Sequence, residues 1–250
     1  MTRAAPLSLV ERERYLRQIP LIGEDGQEKI RGTAVLIAGA GGLGTVCALM
    51  CAYAGFGKIR LVDSDVVERH NLNRQVLYTA ADRGLPKVEA AARRLREISP
   101  FVSVEPVRTR VEEGTIGSLV RGIDIVVDAM DNYDARYILD DAAFENGIPL
   151  VHGAVNGFYG QVSSILPGTS PCLHCIVPHP PPREEVPVIG VTVGAIGSIQ
   201  VTEAIKIVTG MGRPLAGRML VWDGLAGEAE VIPVSGDPLC PRCARGGSCA

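Results

Sequence analysis

The segment Thr33 to Asp65, TAVLIAGAGGLGTVCALMCAYAGFGKIRLVDSD, constrains the fold more than any other part of this 250-residue chain. A short aliphatic run leads into Gly39, Gly41 and Gly44 at GxGxxG spacing; small residues follow, and then IRLV ends in Asp63. The order is strand, tight turn, helix, strand. Glycines at this spacing let the turn close and bring backbone N–H groups and a helix N-terminus up to a phosphate. Asp63 comes 19 positions after Gly44, where a carboxylate can accept from a ribose hydroxyl. The uncharged run from Ala34 to Gly57 has the length of a membrane span, but six glycines break it, and no membrane association is expected. A glycine turn used only for packing, or an NAD site, fits this segment as well. Residues further along discriminate between them.

The length allows one α/β domain with a sizeable core, or two small ones, and the 46% hydrophobic content excludes a disordered chain. A net charge of −3 gives a nucleic-acid partner no electrostatic support. The start is strongly charged (Arg3, Glu11, Arg12, Glu13, Arg14, Arg17), so no secretory leader and a cytoplasmic location are expected. Seven cysteines in such a chain read as metal ligands or buried thiols rather than a disulfide frame.

Ser8 with Glu11 three residues on predicts a capped helix carrying Arg14-Tyr-Leu-Arg-Gln18, then a loop and a short second helix near Gln27 to Ile30. Cys47 and Cys51, four apart among alanines, read as core thiols. Beyond Asp63-Ser-Asp65 lies the polar segment Asn71-Leu-Asn-Arg-Gln75, and Lys87 opens the next helix. Arg74 and Lys87 beside a presumed nucleotide turn point to more phosphate than a dinucleotide carries. The buried strand Asp124 to Asp128 runs into Asp131 and Asn132, on the same sheet edge as Asp63. Asp131 there can hold Mg²⁺ against a triphosphate or cap the following helix. Short strands are expected at 102–107, 148–154 and 159–166.

Pro167 to Pro187 contains seven of the chain's 17 prolines and predicts an irregular crossover. Within it lies Cys172-Leu-His-Cys175, and after 64 intervening residues comes Cys240-Pro-Arg-Cys243. Two CxxC pairs predict a closed, structural Cys₄ zinc site, in preference to a redox pair. His174 is expected to face solvent, and Cys249 is left over. His70, His152 and His179 read as singletons that support no catalytic triad. Val191 to Thr209 predicts an apolar helix, with two strands after it at Met219–Trp222 and Glu230–Val234. The organisation expected is one domain: N-terminal helices over 1–32, a Rossmann-like nucleotide-binding core over 33–166, the crossover over 167–187, and a helix, strands and zinc knuckle over 188–250.

RYLRQ, GAGGLG, VDSD, NLNRQ, GLPKVE, DNYDARY and the two CxxC pairs occur in one order. In this the chain resembles the ubiquitin-activating-enzyme-like superfamily, specifically the MoeB/ThiF/HesA-type adenylyltransferases that activate sulfur carriers for molybdopterin or thiamine synthesis. The resemblance implies ATP on Gly39, Gly41, Gly42 and Gly44, its ribose on Asp63 beside Asp65, and its triphosphate on Asn71, Asn73, Arg74 and Lys87. It implies Mg²⁺ at Asp131 beside Asn132. Arg17 would reach into the partner subunit's site, which makes a homodimer, and the substrate would be a small ubiquitin-like carrier protein ending in Gly-Gly. Relatives that form a thioester carry a crossover cysteine where this chain has Arg183, so adenylation without a covalent enzyme intermediate is expected. The competing readings are activation of a carboxylate on a modified tRNA base or a peptide, and an NAD-dependent oxidoreductase.

Overall fold

The computed structural model describes residues 6–181, 186–240 and 242. Its helices are α1 (Leu9–Arg14), α2 (Ile19–Gly32), α3 (Gly42–Ala54), α4 (Lys87–Ile98), α5 (Glu113–Leu119), α6 (Tyr133–Glu145), α7 (Leu173–Ile176) and α8 (Gly190–Thr209). The strands are β1 (Ala34–Ala38), β2 (Lys58–Val62), β3 (Ser103–Val107), β4 (Ile125–Asp128), β5 (Leu150–Asn156), β6 (Tyr159–Ile165), β7 (Arg218–Asp223) and β8 (Glu228–Pro233). They form one mixed sheet in the order β3-β2-β1-β4-β5-β6-β7-β8.

From β3 to β5 every pairing is parallel, and from β5 to β8 every pairing is antiparallel. The chain leaves β1 toward β2 and β3, then returns to β1's other side with β4. That reversal opens a crevice at the carboxyl ends of β1 and β4, the place where open α/β sheets bind ligands.

Residue alternation along β1 explains why both faces are covered. Val35 and Ile37 join Ile59, Leu61, Val127 and residues of α3, α4 and α8 in one core. Leu36 and Ala38 join Val126, Leu119 and Leu139 in the other, beneath α5 and α6. Burying each such Leu, Ile or Val contributes about 1.5–3 kcal/mol, so the central strands hold the sheet while its last strand does not. All six residues of β8 are exposed.

The apolar helix α8 is long enough to cross a membrane by length and composition alone. Here Val193, Ile196, Val201 and Ala204 are buried against the core formed by α3 and the sheet. Its buried Glu203 takes hydrogen bonds from Ser164 Oγ at 2.8 Å and Leu215 N at 2.7 Å, polar partners from the same chain.

At the N-terminus, Ser8 and Glu11 form the expected reciprocal cap. The second helix is longer than expected, running from Ile19 to Gly32 with non-helical backbone at Gly23. RYLRQ is not on a helix face: α1 ends at Arg14, and the remaining four residues form the turn into α2. Buried Tyr15 and half-buried Gln18 hold that turn against the end of α3, with Gln18 Nε2 donating to Ala54 O at 2.9 Å. Tertiary anchoring overrode the helical pattern.

Candidate nucleotide site, buried triad and cysteine cluster

Gly39 sits at φ 98°, a left-handed conformation that costs glycine little, and a Cβ there would lie 2.5 Å from Ala129 O. A Cβ on Gly44 would lie 1.8 Å from Gly39 O. The first and third glycines are therefore required by backbone contacts, the one bringing β1 to β4's loop and the other bringing α3 onto the turn. Gly41 is the N-cap of α3 and carries no side-chain cap, so the first amides of this 13-residue helix are presented outward. Gly42 follows, beside Arg74 and Val193.

Asp63 is bound into the turn: one carboxylate oxygen accepts from Ala40 N at 2.7 Å, the other from Asp65 N at 2.8 Å. Tyr78 Oη donates to Ala40 O at 2.9 Å from the other side of the turn. Asn71 is buried, and its Oδ1 accepts from Glu68 N at 2.9 Å, so its amide Nδ2 is the group left for a ligand. Arg74 Nη1 donates to His70 O at 2.9 Å and to Asn73 Oδ1 at 3.0 Å. Gly190, at the start of α8, lies against Asn73 and Arg74, which closes this side of the crevice. Lys87, only 7% exposed, places Nζ 2.9 Å from Asp65 Oδ2. Burial alone would raise the Asp65 carboxyl, but the Lys87 ammonium outweighs it and holds it below the usual carboxylate range.

Asp131 is exposed, and its Oδ1 accepts from Asn132 Nδ2 at 3.1 Å. The cap of α6 is Asn132, whose Oδ1 accepts from Ala135 N at 2.9 Å, so the alternative of Asp131 as the cap is corrected. The structure thus brings the glycine turn, Asp63, Asp65, Asn71, Asn73, Arg74, Lys87, Asp131 and Asn132 to one edge of the sheet. Arg17 is not among them. Its turn packs at the C-terminal end of α3, and a 13-residue helix of roughly 20 Å separates it from its own chain's glycine turn.

Beneath Asp131 lies a buried group that periodicity and spacing did not reveal. Asp128 Oδ2 is 3.0 Å from Arg136 Nη1 and 2.8 Å from His152 Nδ1, all three side chains being essentially inaccessible to solvent. In the sequence His152 is a singleton; β4 and β5 are neighbours in space, and their pairing sets Asp128 opposite His152. Burial depresses the imidazole's basicity; His152 Nδ1 lies 2.8 Å from Asp128 Oδ2 and 2.9 Å from Arg136 Nη1, and Nε2 lies 3.4 Å from Gln161 Nε2. For Asp128, burial would raise the carboxyl, but the Arg136 charge and the His152 hydrogen bond bring it below the ordinary range. A pairing of strands distant in sequence is the only signal for this group.

Cys172 Sγ lies 3.7 Å from Cys175 Sγ and 3.7 Å from Cys240 Sγ. A tetrahedral zinc with Zn–S near 2.3 Å has S–S edges of roughly 3.8 Å, so these three thiols fit that ion. Cys243, the fourth expected ligand, lies outside the described residues, as do Arg183 and Cys249. Burial pushes the metal-free Cys172 thiol up to about 12, and Cys175 is raised by burial as well. His174 does not simply face solvent: it stacks on Tyr137 with centroids 4.3 Å apart and places Nε2 3.0 Å from Asp141 Oδ1. Cys47 and Cys51 are core thiols as expected, fully buried in α3.

A family model described as the ThiF family matches residues 15–242. The SAMP-activating enzyme E1 of Haloferax volcanii is 42% identical over 249 residues, covering 96% of this chain and 92% of that protein. The sulfur carrier protein adenylyltransferase of Thermus thermophilus is 40% identical over 246 residues, covering 93% and 91%. Among solved structures, the crystal structure of PaaA superposes with a TM-score of 0.81 at 26% identity, over 94% of this chain and 76% of that one. A crystal structure of E. coli MccB with ATP reaches 0.83 at 21% identity, over 92% and 74%, a likeness of fold alone.

Proposed function

The chain belongs to the ThiF family, and on that basis we propose that it adenylates the C-terminal carboxylate of a small ubiquitin-like sulfur-carrier protein at the expense of ATP. The observation that carries this reading is the convergence at one sheet edge of outward-facing amides, an acceptor carboxylate at Asp63, the cations Arg74 and Lys87, and a solvent-facing carboxylate at Asp131. An NAD site would use the first two and leave the rest without a role.

In this reading the α3 amides and the side chains of Asn71, Asn73, Arg74 and Lys87 bind the triphosphate, while Asp63 accepts from the ribose. Lys87 and Asp65, held together, keep the ammonium in place before any nucleotide arrives. Asp131 would hold Mg²⁺, which supplies charge neutralisation on the phosphates when bound. The carrier's carboxylate oxygen attacks the α-phosphorus, the bond from that phosphorus to the bridging oxygen breaks, and pyrophosphate departs with the electron pair. The nucleophile arrives already ionised, so positioning and charge matter and a general base does not. Outside the metal cluster, the described cysteines are the fully buried Cys47 and Cys51, and burial raises both thiols above the ordinary range. Neither suits a thioester, which supports adenylation without a covalent enzyme intermediate.

The test is ATP–pyrophosphate exchange with small ubiquitin-like proteins ending in Gly-Gly. Exchange that depends on the carrier is expected; exchange with none of them, despite Mg·ATP binding, would transfer the assignment to a peptide or tRNA carboxylate. The zinc ligands would be Cys172, Cys175, Cys240 and Cys243, with a structural role.

Arg17 lies a helix length from its own glycine turn, so its part in the reaction would be played in the site of a second copy. Arg17→Ala and Asp131→Ala chains, each inactive alone, are then expected to recover roughly a quarter of wild-type exchange when unfolded, mixed equally and refolded, because only mixed dimers hold one intact site. No recovery on mixing, with dimers present, would place Arg17 outside the reaction.

A further inference from the structure

We propose that Arg136 and His152 are positioning residues: a buried clamp that holds the loop carrying Asp131 to the β5–β6 hairpin and so sets that carboxylate's reach toward a metal–nucleotide complex. The inference rests on the role given above to Asp131 and adds to it the groups that aim it.

Arg136 lies one turn into α6, and its guanidinium donates to Met130 O, to Gly153 O at 2.9 Å and to Asp128 Oδ2 at 3.0 Å. Asp128 Oδ1 in turn accepts from Met130 N at 3.0 Å. Both peptide groups flanking Met130 are therefore bonded, and the second of them is the peptide that carries Asp131. Asp131 itself makes its side-chain hydrogen bond only to the neighbouring Asn132 among the described contacts, so its orientation comes from the backbone that precedes it. His152, on β5, completes the clamp with Nδ1 2.8 Å from Asp128 Oδ2 and 2.9 Å from Arg136 Nη1. Its other nitrogen faces half-buried Gln161 on β6. From α8, Gln200 Nε2 donates to Asp128 O at 2.8 Å and fixes the end of β4 from the opposite face.

The energetics favour positioning over stability. Taking Arg136 and Asp128 out of water carries a desolvation penalty, and apolar residues of like volume commonly serve a core as well or better. A fully bonded ion pair in that place fixes a geometry that apolar packing does not. Groups that orient a metal ligand typically change metal affinity roughly 10-fold to 100-fold when altered.

The experiment measures ATP binding by calorimetry across a Mg²⁺ series and in excess chelator, with thermal melting alongside, for wild type, Arg136→Lys, His152→Leu, His152→Asn and Gln161→Leu. In Arg136→Lys and His152→Leu the half-saturating Mg²⁺ is expected to rise roughly tenfold or more, while ATP affinity in chelator stays at the wild-type value. His152→Asn is expected to restore the wild-type requirement, because its amide stands where Nδ1 meets Asp128 and Arg136. Gln161→Leu, altered at the half-exposed end, is expected to show a smaller rise. A folded Arg136→Lys or His152→Leu with the wild-type Mg²⁺ requirement overturns the proposal, as does an equal loss of ATP affinity with and without the metal. Should those two fail to fold, an unchanged Mg²⁺ requirement in Gln161→Leu overturns it. Wild-type ATP binding that ignores Mg²⁺ would remove the role of Asp131 and this inference with it, an outcome distinct from metal-dependent wild type with insensitive variants.

Discussion

Asp131→Ala lowers carrier-dependent pyrophosphate exchange by about 10²- to 10³-fold, the range seen when one preorganised group facing developing charge is removed, and leaves the melting temperature within a few degrees of wild type. Both halves of that expectation come from the geometry. The carboxylate is exposed, and its hydrogen bond is to the adjacent Asn132, so folding loses little with it. The helix that follows keeps its cap, because Asn132 and not Asp131 accepts from Ala135 N. What disappears is the carboxylate at the crevice edge that would hold the metal against the phosphates. Asp131→Asn keeps the size and loses the charge, and is expected to fall nearly as far. Exchange within a few-fold of wild type in a folded Asp131→Ala protein would remove this residue from the chemistry.

Stripping the zinc proposed at Cys172, Cys175, Cys240 and Cys243, or replacing Cys172 with Ser, is expected to produce the largest loss of stability. The three described thiols come from two segments far apart in sequence and meet with 3.7 Å separations. Arg242 Nη1 joins Asp140 Oδ2 at 2.8 Å and Leu173 N donates to the same oxygen at 3.1 Å, so part of the tie between the two segments persists without the ion. Structural zinc contributes about 10–16 kcal/mol in small peptides that fold around it. Here the sheet folds on its own core, so a smaller share is expected, and a fall in melting temperature of roughly 10 °C corresponds to a few kcal/mol for a domain of this size. The sign with pH follows from the thiols. In the metal-free protein Cys172 is pushed up to about 12, so it is protonated at neutral pH, zinc must displace the proton, and apparent affinity rises as pH rises. Residual exchange at temperatures where the stripped protein stays folded is expected, since a closed thiolate site offers no open position. A purified protein that contains no zinc and melts at the same temperature after chelation would refute the assignment.

The glycine turn was legible because its signal is local. Gly44 is imposed by a backbone approach within one strand–turn–helix unit, Gly39 has the left-handed φ that the turn requires, and Asp63 belongs to the next strand. The same holds for Asn71, Arg74, Lys87 and Asp131, which lie at or just beyond the carboxyl ends of strands or at the start of a helix, positions that hydrophobic patterning identifies. RYLRQ shows where that reasoning stops. Its pattern suits a helix face, yet Tyr15 and Gln18 are held against the end of α3 and the residues form a turn. His152 is the sharper case: nothing near it in sequence names a partner, and its chemistry exists only because β5 lies beside β4 and α6 folds Arg136 back over both.

By itself the sequence determined the nucleotide turn, the parallel α/β core, the edge on which the polar residues gather and the two CxxC pairs, because each is encoded by residue types within a few positions of one another. Only the tertiary structure decided that Arg17 stands a helix length from its own chain's turn, and that Asp128, Arg136 and His152 form one buried unit. Those facts depend on which strands become neighbours. Strand order is settled by burial and pairing across the whole sheet, a sum over many weak long-range contacts that no local pattern carries.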